Sequence, residues 1–148
     1  MTTQIIQPAF ERLRPGGWIE CQELEGLMEC DDDSVTENNP FKKWCDDIVD
    51  ASIAADRPLP GAASIKQALK ETGFVDIHEK IYKIPINGWP KNRRLKSYGL
   101  LHRVKGMTKE EIEVNLIDVR RALADHRMHG YQKFYVVWGR KPDDVDMP

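Results

Sequence analysis

The stretch Arg14-Pro15-Gly16-Gly17-Trp18-Ile19-Glu20-Cys21-Gln22-Glu23-Leu24 decides the fold class of this 148-residue chain. Proline and two adjacent glycines stop a helix, so residues 14–17 are expected to form a turn. In the strand predicted over Trp18–Leu24, apolar side chains occur at both alternating sets of positions, which is typical of a strand covered on both faces. A turn that leads into such a strand predicts a sheet flanked by helices.

Helices are expected on both sides of this stretch. A short helix over Pro8–Leu13 fits because proline is tolerated in a first turn. Asn39 and Pro40 begin the clearest helix, as N-cap and first helical residue, and a capping box begins another helix over residues 108–126. The mostly apolar side chains at helical spacing after Pro40 predict a buried face; they are Phe41, Trp44, Cys45, Ile48, Val49, Ser52 and Ile53.

Two further strands and one helix complete the pattern. A helix over Ser64–Thr72 is followed by Gly73, which favours the left-handed conformation of a helix C-cap. Strands are predicted over Phe74–Ile84 and Tyr131–Gly139, and the continuous apolar run of the second is typical of a central strand. The fold class is therefore α/β, with too few strands for a complete doubly wound sheet.

The composition excludes several classes of protein. Hydrophobic residues make up 41% and charged residues 31%, and a net charge of −2 gives no general attraction to nucleic acid or anionic membranes. No apolar run approaches the roughly 20 residues of a membrane span, and no secretory signal is evident. Three cysteines without Cys-x-x-Cys spacing indicate reduced thiols. We expect a cytoplasmic protein with one domain over residues 1–142 and a polar tail at 143–148.

Five blocks of the sequence resemble one family. Leu13–Glu20 is similar to the Leu-Lys-Pro-Gly-Gly-Trp-x-Glu turn into the fifth strand of class I S-adenosylmethionine-dependent methyltransferases. The other four blocks are similar to the fungal LaeA-like group of these enzymes, which is associated with secondary metabolism; they are Asn39–Cys45, Gly73–Lys80, Pro85–Lys91 and Tyr131–Pro142. Because the blocks are in order and cover most of the chain, it resembles the C-terminal half of a LaeA-like methyltransferase.

The resemblance implies a partial Rossmann-like sheet with strands in the family order 5-7-6, the last of them antiparallel in the middle. The family binds its methyl donor in the N-terminal half through a Gly-x-Gly turn and an acidic residue, and no Gly-x-Gly occurs in this sequence. We therefore expect a truncated domain without S-adenosylmethionine. Trp18–Leu24 then lies at an exposed edge, so the expected partner is a second copy paired along it. By resemblance, a nuclear location is the alternative to the cytoplasm.

Candidate site residues come from two regions and from two single positions, Trp89 and His129. The carboxyl ends of strands in open α/β sheets carry ligand sites, which points to the polar side chains of Trp18–Leu24. The segment from Tyr98 to Thr108 corresponds to a longer substrate cover in the family, and histidine there suits acid–base work. The predicted catalytic residues are Glu20, Glu23, Tyr98 and His102, and the predicted substrate-binding residues are Gln22, Trp89 and His129.

Three other polar groups are weaker candidates. His126 and His129 have the i, i+3 spacing of two metal ligands on one helix, but a third ligand is not evident. Asp31–Asp33 lacks the alternation of a calcium loop, which favours a solvated loop. Lys91–Arg94 is too short for a nucleic-acid footprint. We therefore predict neither a metal site nor a nucleic-acid partner.

Three functions remain open at this point. The first is a small-molecule enzyme derived from a methyltransferase, such as a cyclase or isomerase of the pericyclase type, in which a shaped cavity and a few acid–base groups suffice. The second is a methyltransferase subunit or fragment whose partner supplies the donor-binding half. The third is a non-catalytic interaction module that uses the exposed strand and the Asn39–Ile53 helix. We place the first ahead of the second and the third last, since fold alone does not fix function.

Overall fold

The computed structural model describes residues 2–56, 61–91 and 117–143. The elements follow in the order α1 (Thr2–Arg12), β1 (Trp18–Leu24), α2 (Pro40–Ala54), a 3-10 turn (Ala62–Ser64), α3 (Ile65–Thr72), β2 (Val75–Pro85), α4 (Ile117–Ala124) and β3 (Tyr131–Arg140). The strands form one sheet in the order β1-β3-β2, and β1 pairs with β3 in antiparallel fashion. The predicted α/β class and the central place of the last strand are confirmed, whereas the wider Rossmann-like arrangement stays a prediction.

The chain divides into two compact units, each built from separate stretches. The first unit comprises residues 1–25, 52–82 and 134–148, and the second comprises residues 26–51 and 83–133. The predicted boundary between a domain and a tail at residue 142 stays a prediction.

In the first unit, α1 and α3 pack together around an apolar core. Ile6 of α1, Leu69 of α3 and Val137 of β3 are almost completely buried there. The predicted start of α1 at Pro8 is wrong, because the helix begins at Thr2 and contains Pro8. Ile6 and Phe10 lie one helical turn apart and both pack on this core, so the burial of the helix face outweighs the one hydrogen bond that proline cannot make.

Strand β1 has its predicted bounds, but only one of its faces is well covered. Ile19 and Cys21 pack against the core of the first unit, whereas Trp18 on the opposite face is 51% exposed and Leu24 is 36% exposed. The prediction that both faces are covered is therefore wrong. Among the described residues, no helix or strand covers the apolar side chains of the opposite face.

Two glycines adopt the left-handed conformation that their surroundings require. Gly16 has φ 73° and follows Pro15, and the Gly17 N–H donates to the Arg14 carbonyl at 2.8 Å. This is the geometry of a type II turn, which needs a positive φ at its third position. Gly73 has φ 101° and ends α3 as predicted.

The second unit has its own core, formed by α2, α4 and the loop before β3. Asn39 caps α2 as predicted, because its Oδ1 accepts from the backbone N–H groups of Phe41 and Lys42 at 3.0 and 3.1 Å. The predicted apolar face of α2 is buried only in part, since Phe41 is 8% exposed and Ile53 is 60% exposed. None of the helices in the described part of the chain is long and apolar enough to cross a lipid bilayer.

Candidate functional site

The polar loop that follows β1 lies against the start of β3 within the second unit. Glu29 and Tyr131 form an isolated antiparallel bridge, in which each backbone N–H donates to the other residue's carbonyl at 2.9 Å. Because the pairing fixes this loop, Asp31 and Asp32 are brought to the segment that precedes β3. The loop is exposed at Asp31 and Asp32, as predicted, and it also forms one side of a site.

Asp32 and His129 form the central pair of the site. Asp32 Oδ2 lies 2.5 Å from His129 Nδ1, while Asp32 Oδ1 is close to the Ser34 N–H at 3.2 Å and the Cys30 thiol at 3.1 Å. The hydrogen bond from His129, assisted by Cys30 and Ser34, holds the pKa of Asp32 far below its ordinary value. Since an ionised carboxylate can only accept, His129 Nδ1 is the donor.

The ring of His129 is also positioned through its own backbone. The His129 N–H donates to Ser34 Oγ at 2.8 Å. Trp89 lies against the imidazole, with ring centroids 5.0 Å apart and planes tilted by 42°. Within the residues that the structure describes, His129 Nε2 has no hydrogen-bond partner. These contacts fix the ring through Nδ1 and leave Nε2 without a partner among the described residues.

Asp31, Lys83 and Tyr131 form a second polar group in the same pocket. Lys83 Nζ donates to Asp31 Oδ2 at 2.5 Å, and the Tyr131 hydroxyl donates to Asp31 Oδ1 at 2.7 Å. Lys83 first, and Tyr131 with it, lower the pKa of Asp31, while burial raises the pKa of Tyr131. The Lys83 ammonium also lies over the Tyr131 ring, 4.5 Å from its centroid.

Trp89 is held by hydrogen bonds at both its backbone and its indole. The indole Nε1 donates to the Gly130 carbonyl at 3.1 Å, and the Trp89 N–H donates to Asn87 Oδ1 at 3.0 Å. Asn87 is completely buried, and its Nδ2 donates to the carbonyls of Asp125 and Met128 at 3.1 and 3.3 Å. Asn87 therefore joins the loop after β2 to the turn before β3, and so positions both Trp89 and His129.

These groups line one cavity with a volume of about 270 Å3. Its walls combine two aromatic side chains and two prolines with two carboxylates, an ammonium and an imidazole. The lining residues are Asp31, Asp32, Lys83, Pro85, Trp89, Pro90, His129 and Tyr131. An apolar cavity with a few convergent polar groups is the usual form of a small-molecule site.

The predicted site residues are distributed unequally. The structure brings the predicted substrate-binding residues Trp89 and His129 together in this cavity. In the first unit, Gln22 Nε2 donates to Glu20 Oε1 at 2.7 Å on the exposed face of β1. A separate groove of about 440 Å3 there is lined by Trp18, Ile19, Glu20 and Trp138. The roles of Glu20, Gln22 and Glu23 stay predictions, and Tyr98 and His102 lie outside the described residues.

Sequence reasoning missed Asp31, Asp32, Lys83 and Tyr131, and it misplaced His126. Helix α4 ends at Ala124, so His126 and His129 do not share a helix face, which removes the geometric basis of a two-histidine metal site. Within residues 2–56, 61–91 and 117–143, no group of three or more His, Cys, Asp or Glu side chains could hold a metal ion. Of the residues that the structure brings to this site, the sequence had indicated two, Trp89 and His129, each as a substrate-binding residue.

Comparisons with known proteins give the family. The chain is 33% identical to the probable methyltransferase tdiE of Emericella nidulans, over 94% of this chain and 49% of that protein. It is 30% identical to the secondary metabolism regulator LAE1 of Gibberella fujikuroi, over 94% of this chain and 50% of that protein. The chain belongs to the fungal LaeA-like methyltransferases. Methyltransferase pytC of Aspergillus terreus, another relative, is 29% identical over 94% of this chain and 48% of its own length.

The match covers only part of the length of each family member. The chain spans about half the length of the curated relatives it matches, as expected for a chain that resembles one half of the LaeA-like fold. No family model matches the chain, and no solved structure matches it.

The residues of the pocket do not fit the methyl donor that the LaeA-like family implies. An adenosine group needs a glycine-rich turn for close backbone approach and a carboxylate for the ribose hydroxyls. The sequence has no Gly-x-Gly, and all four carboxylate oxygens of Asp31 and Asp32 already have partners. We therefore assign no step of this pocket to S-adenosylmethionine.

Proposed function

We propose that the chain is a cytoplasmic small-molecule-binding protein of fungal secondary metabolism whose pocket catalyses a proton transfer. A SAM-independent isomerase or cyclase performs this class of reaction. The observation that carries the proposal is the Asp32–His129 pair beside Trp89. The family supplies the metabolic setting, since its relatives are named as methyltransferases and secondary metabolism regulators.

In the proposed mechanism, His129 is the base and Asp32 is its positioning residue. With Nδ1–H donated to Asp32, the imidazole lone pair is on Nε2, where it can accept a proton from a bound molecule. Asp32 then stabilises the imidazolium that forms. General acid–base catalysis of this kind contributes about 10²–10⁴-fold to a rate. Return of the same proton to a different atom of the ligand completes an isomerisation.

A second candidate is the acceptor-binding part of a methyltransferase. The names of tdiE and pytC favour it. In this case the pocket would bind the acceptor and remove its proton, while residues outside the pocket would hold the methyl donor. The pocket chemistry is the same in both candidates, and they differ in whether the product gains a methyl group.

Metabolite analysis distinguishes these candidates. The gene is deleted in the producing fungus and restored as wild type, as Asp32→Asn, or as Asp118→Asn, whose carboxylate lies on the exposed surface of α4. An isomerase or cyclase predicts that Asp32→Asn accumulates a precursor with the mass of the missing product. A methyltransferase predicts a precursor that is lighter by one CH2 group. Full restoration by Asp32→Asn would contradict both candidates, and Asp118→Asn should restore the wild-type profile.

We further propose that β1 pairs with β1 of a second copy in antiparallel fashion. Centred on Cys21, such pairing sets Trp18 opposite Leu24 and Glu20 opposite Gln22 of the other copy. It covers two exposed apolar side chains at each end, gives the Glu20 carboxylate a side-chain amide, sets Glu23 opposite Ile19, and sets no two carboxylates directly opposite each other. The free edge of an apolar strand is prone to such pairing.

The register makes the dimer testable through Cys21. Directly paired residues of antiparallel strands have Cα atoms about 4.5–5.5 Å apart, within the range of a disulfide. Mild oxidation should therefore give a covalent dimer that Cys21→Ser abolishes and Cys30→Ser retains. Light scattering that shows only monomer at micromolar concentration would contradict the dimer.

A further inference from the structure

The carboxylates of the pocket are occupied by groups of the protein itself. Asp31 accepts from Lys83 and from Tyr131, one at each oxygen. Asp32 accepts from His129 at one oxygen and from Cys30 and Ser34 at the other. A cationic ligand would compete with these groups for the same oxygens, and the bonds they already make are charge-assisted and therefore strong. The pocket is thus poorly suited to amines despite its two acidic residues.

A permanently anionic ligand is disfavoured for a different reason. The cavity lining contains two carboxylates and one ammonium, that of Lys83, which is already paired with Asp31. A carboxylate or phosphate ester would enter beside two charges of its own sign. An uncharged ligand avoids this repulsion on entry.

The walls favour a flat, mostly apolar ligand. The ring of Trp89 is fixed by the hydrogen bonds at its indole and backbone nitrogen, and Pro85 and Pro90 are buried beside the cavity. A fixed aromatic face binds a planar ring by stacking. The volume of about 270 Å3 lies near the lower end of ligand sites, about 300 Å3, so the ligand is small.

We propose that the pocket takes a small, planar, uncharged phenol or enol, stacks it on Trp89, and holds it as an oxyanion beside Lys83 once its proton has passed to His129. This inference rests on the proposed function. The O–H bond of the ligand breaks, its electron pair stays on oxygen, and the proton moves to Nε2 of His129. The imidazolium is then paired with Asp32, and the oxyanion accepts from an N–H of the Lys83 ammonium other than the one that Asp31 uses.

The test uses a set of probes that share one ring: para-nitrophenol, para-nitroanisole, para-nitrobenzoate and para-nitrobenzylamine. The phenol is coloured only as its anion, so absorbance reports proton transfer on binding. The variants are Lys83→Met and a control, Lys80→Met, whose ammonium lies over Tyr82 on β2. Both lysines are exposed, and thermal melting checks that each variant is folded.

We expect para-nitrophenol to bind most tightly and to absorb as its anion when bound, because its proton passes to His129. Loss of one hydrogen bond to a charged group should weaken its binding to Lys83→Met about tenfold, with no change in Lys80→Met. Equal binding of para-nitroanisole, para-nitrobenzoate or para-nitrobenzylamine would overturn the inference, as would an unchanged affinity in Lys83→Met.

The two proposals fail in different experiments. If the phenol binds as expected but the fungus restored with Asp32→Asn has a wild-type metabolite profile, the ligand class stands and the proposed function falls. If Asp32→Asn blocks the pathway but para-nitroanisole binds as well as para-nitrophenol, the proposed ligand class is wrong and the proposed function stands.

Discussion

Asn87 links the loop that carries Trp89 to the turn that precedes His129. It is completely buried and makes three hydrogen bonds, to the Trp89 N–H and to the carbonyls of Asp125 and Met128. The Asp125 carbonyl keeps a second donor, the Met128 N–H. Asn87→Ala therefore leaves two groups without a hydrogen-bond partner, the Trp89 N–H and the Met128 carbonyl. At about 1–3 kcal/mol for each buried group left unpaired, the free energy of unfolding should fall by about 3 kcal/mol.

Urea denaturation followed by far-ultraviolet circular dichroism measures this loss. With a slope of about 2 kcal/mol/M, the midpoint should fall by about 1.5 M. The control is Asn38→Ala, the same substitution at an exposed position, which should leave the midpoint unchanged. Binding of para-nitrophenol should weaken only in Asn87→Ala, because Trp89 is no longer fixed. Matching midpoints for the two variants would refute the role of Asn87.

Three other substitutions and titrations test separate parts of the structure. The pKa values of Asp31 and Asp32 are lowered in the folded state from 3.8, so their stabilising contribution is present above that value and is lost as the pH falls below it. Acid titration by circular dichroism should therefore be steeper below about pH 4 in wild type than in Asp32→Asn; equal slopes would count against the pair. Gly16→Ala should lower the free energy of unfolding by about 1–2 kcal/mol, because φ is 73° and a Cβ would lie 2.7 Å from Asp143 Oδ1. In the same urea denaturation assay, Gly61→Ala should cost less, since no atom lies closer than 3.6 Å to its added Cβ. Burial raises the pKa of Cys45 to about 12, so it should be the last thiol labelled by a disulfide reagent, and early labelling in mass spectra would contradict its burial.

The local features of the fold were predictable because neighbouring residues determine them. The structure confirms the predicted turn at residues 14–17, the end of α3 at Gly73 and the Asn39 cap of α2. The start of α1 was mispredicted because the packing of Ile6 against residues far along the chain outweighs the proline signal.

The candidate site was less predictable, since its residues come from distant parts of the chain. Asp32 and His129 are 97 positions apart and meet beside the bridge between Glu29 and Tyr131. The run of aspartates in a turn-rich segment does not indicate that the loop pairs with β3, so the local pattern predicts only a solvated loop. Trp89 was predictable as a pocket residue because a large aromatic side chain between glycine and proline has little role in a helix or strand.

The tautomer of His129 tests the central claim most directly. Long-range proton–nitrogen NMR spectra of the histidine rings, recorded at a pH where each imidazole carries a single proton, show which nitrogen holds it. The Asp32–His129 pair predicts a proton on Nδ1 and a bare Nε2 in wild type, with this preference lost in Asp32→Asn and kept in Asp118→Asn. A His129 proton on Nε2, or identical spectra in wild type and Asp32→Asn, would contradict the proposed base.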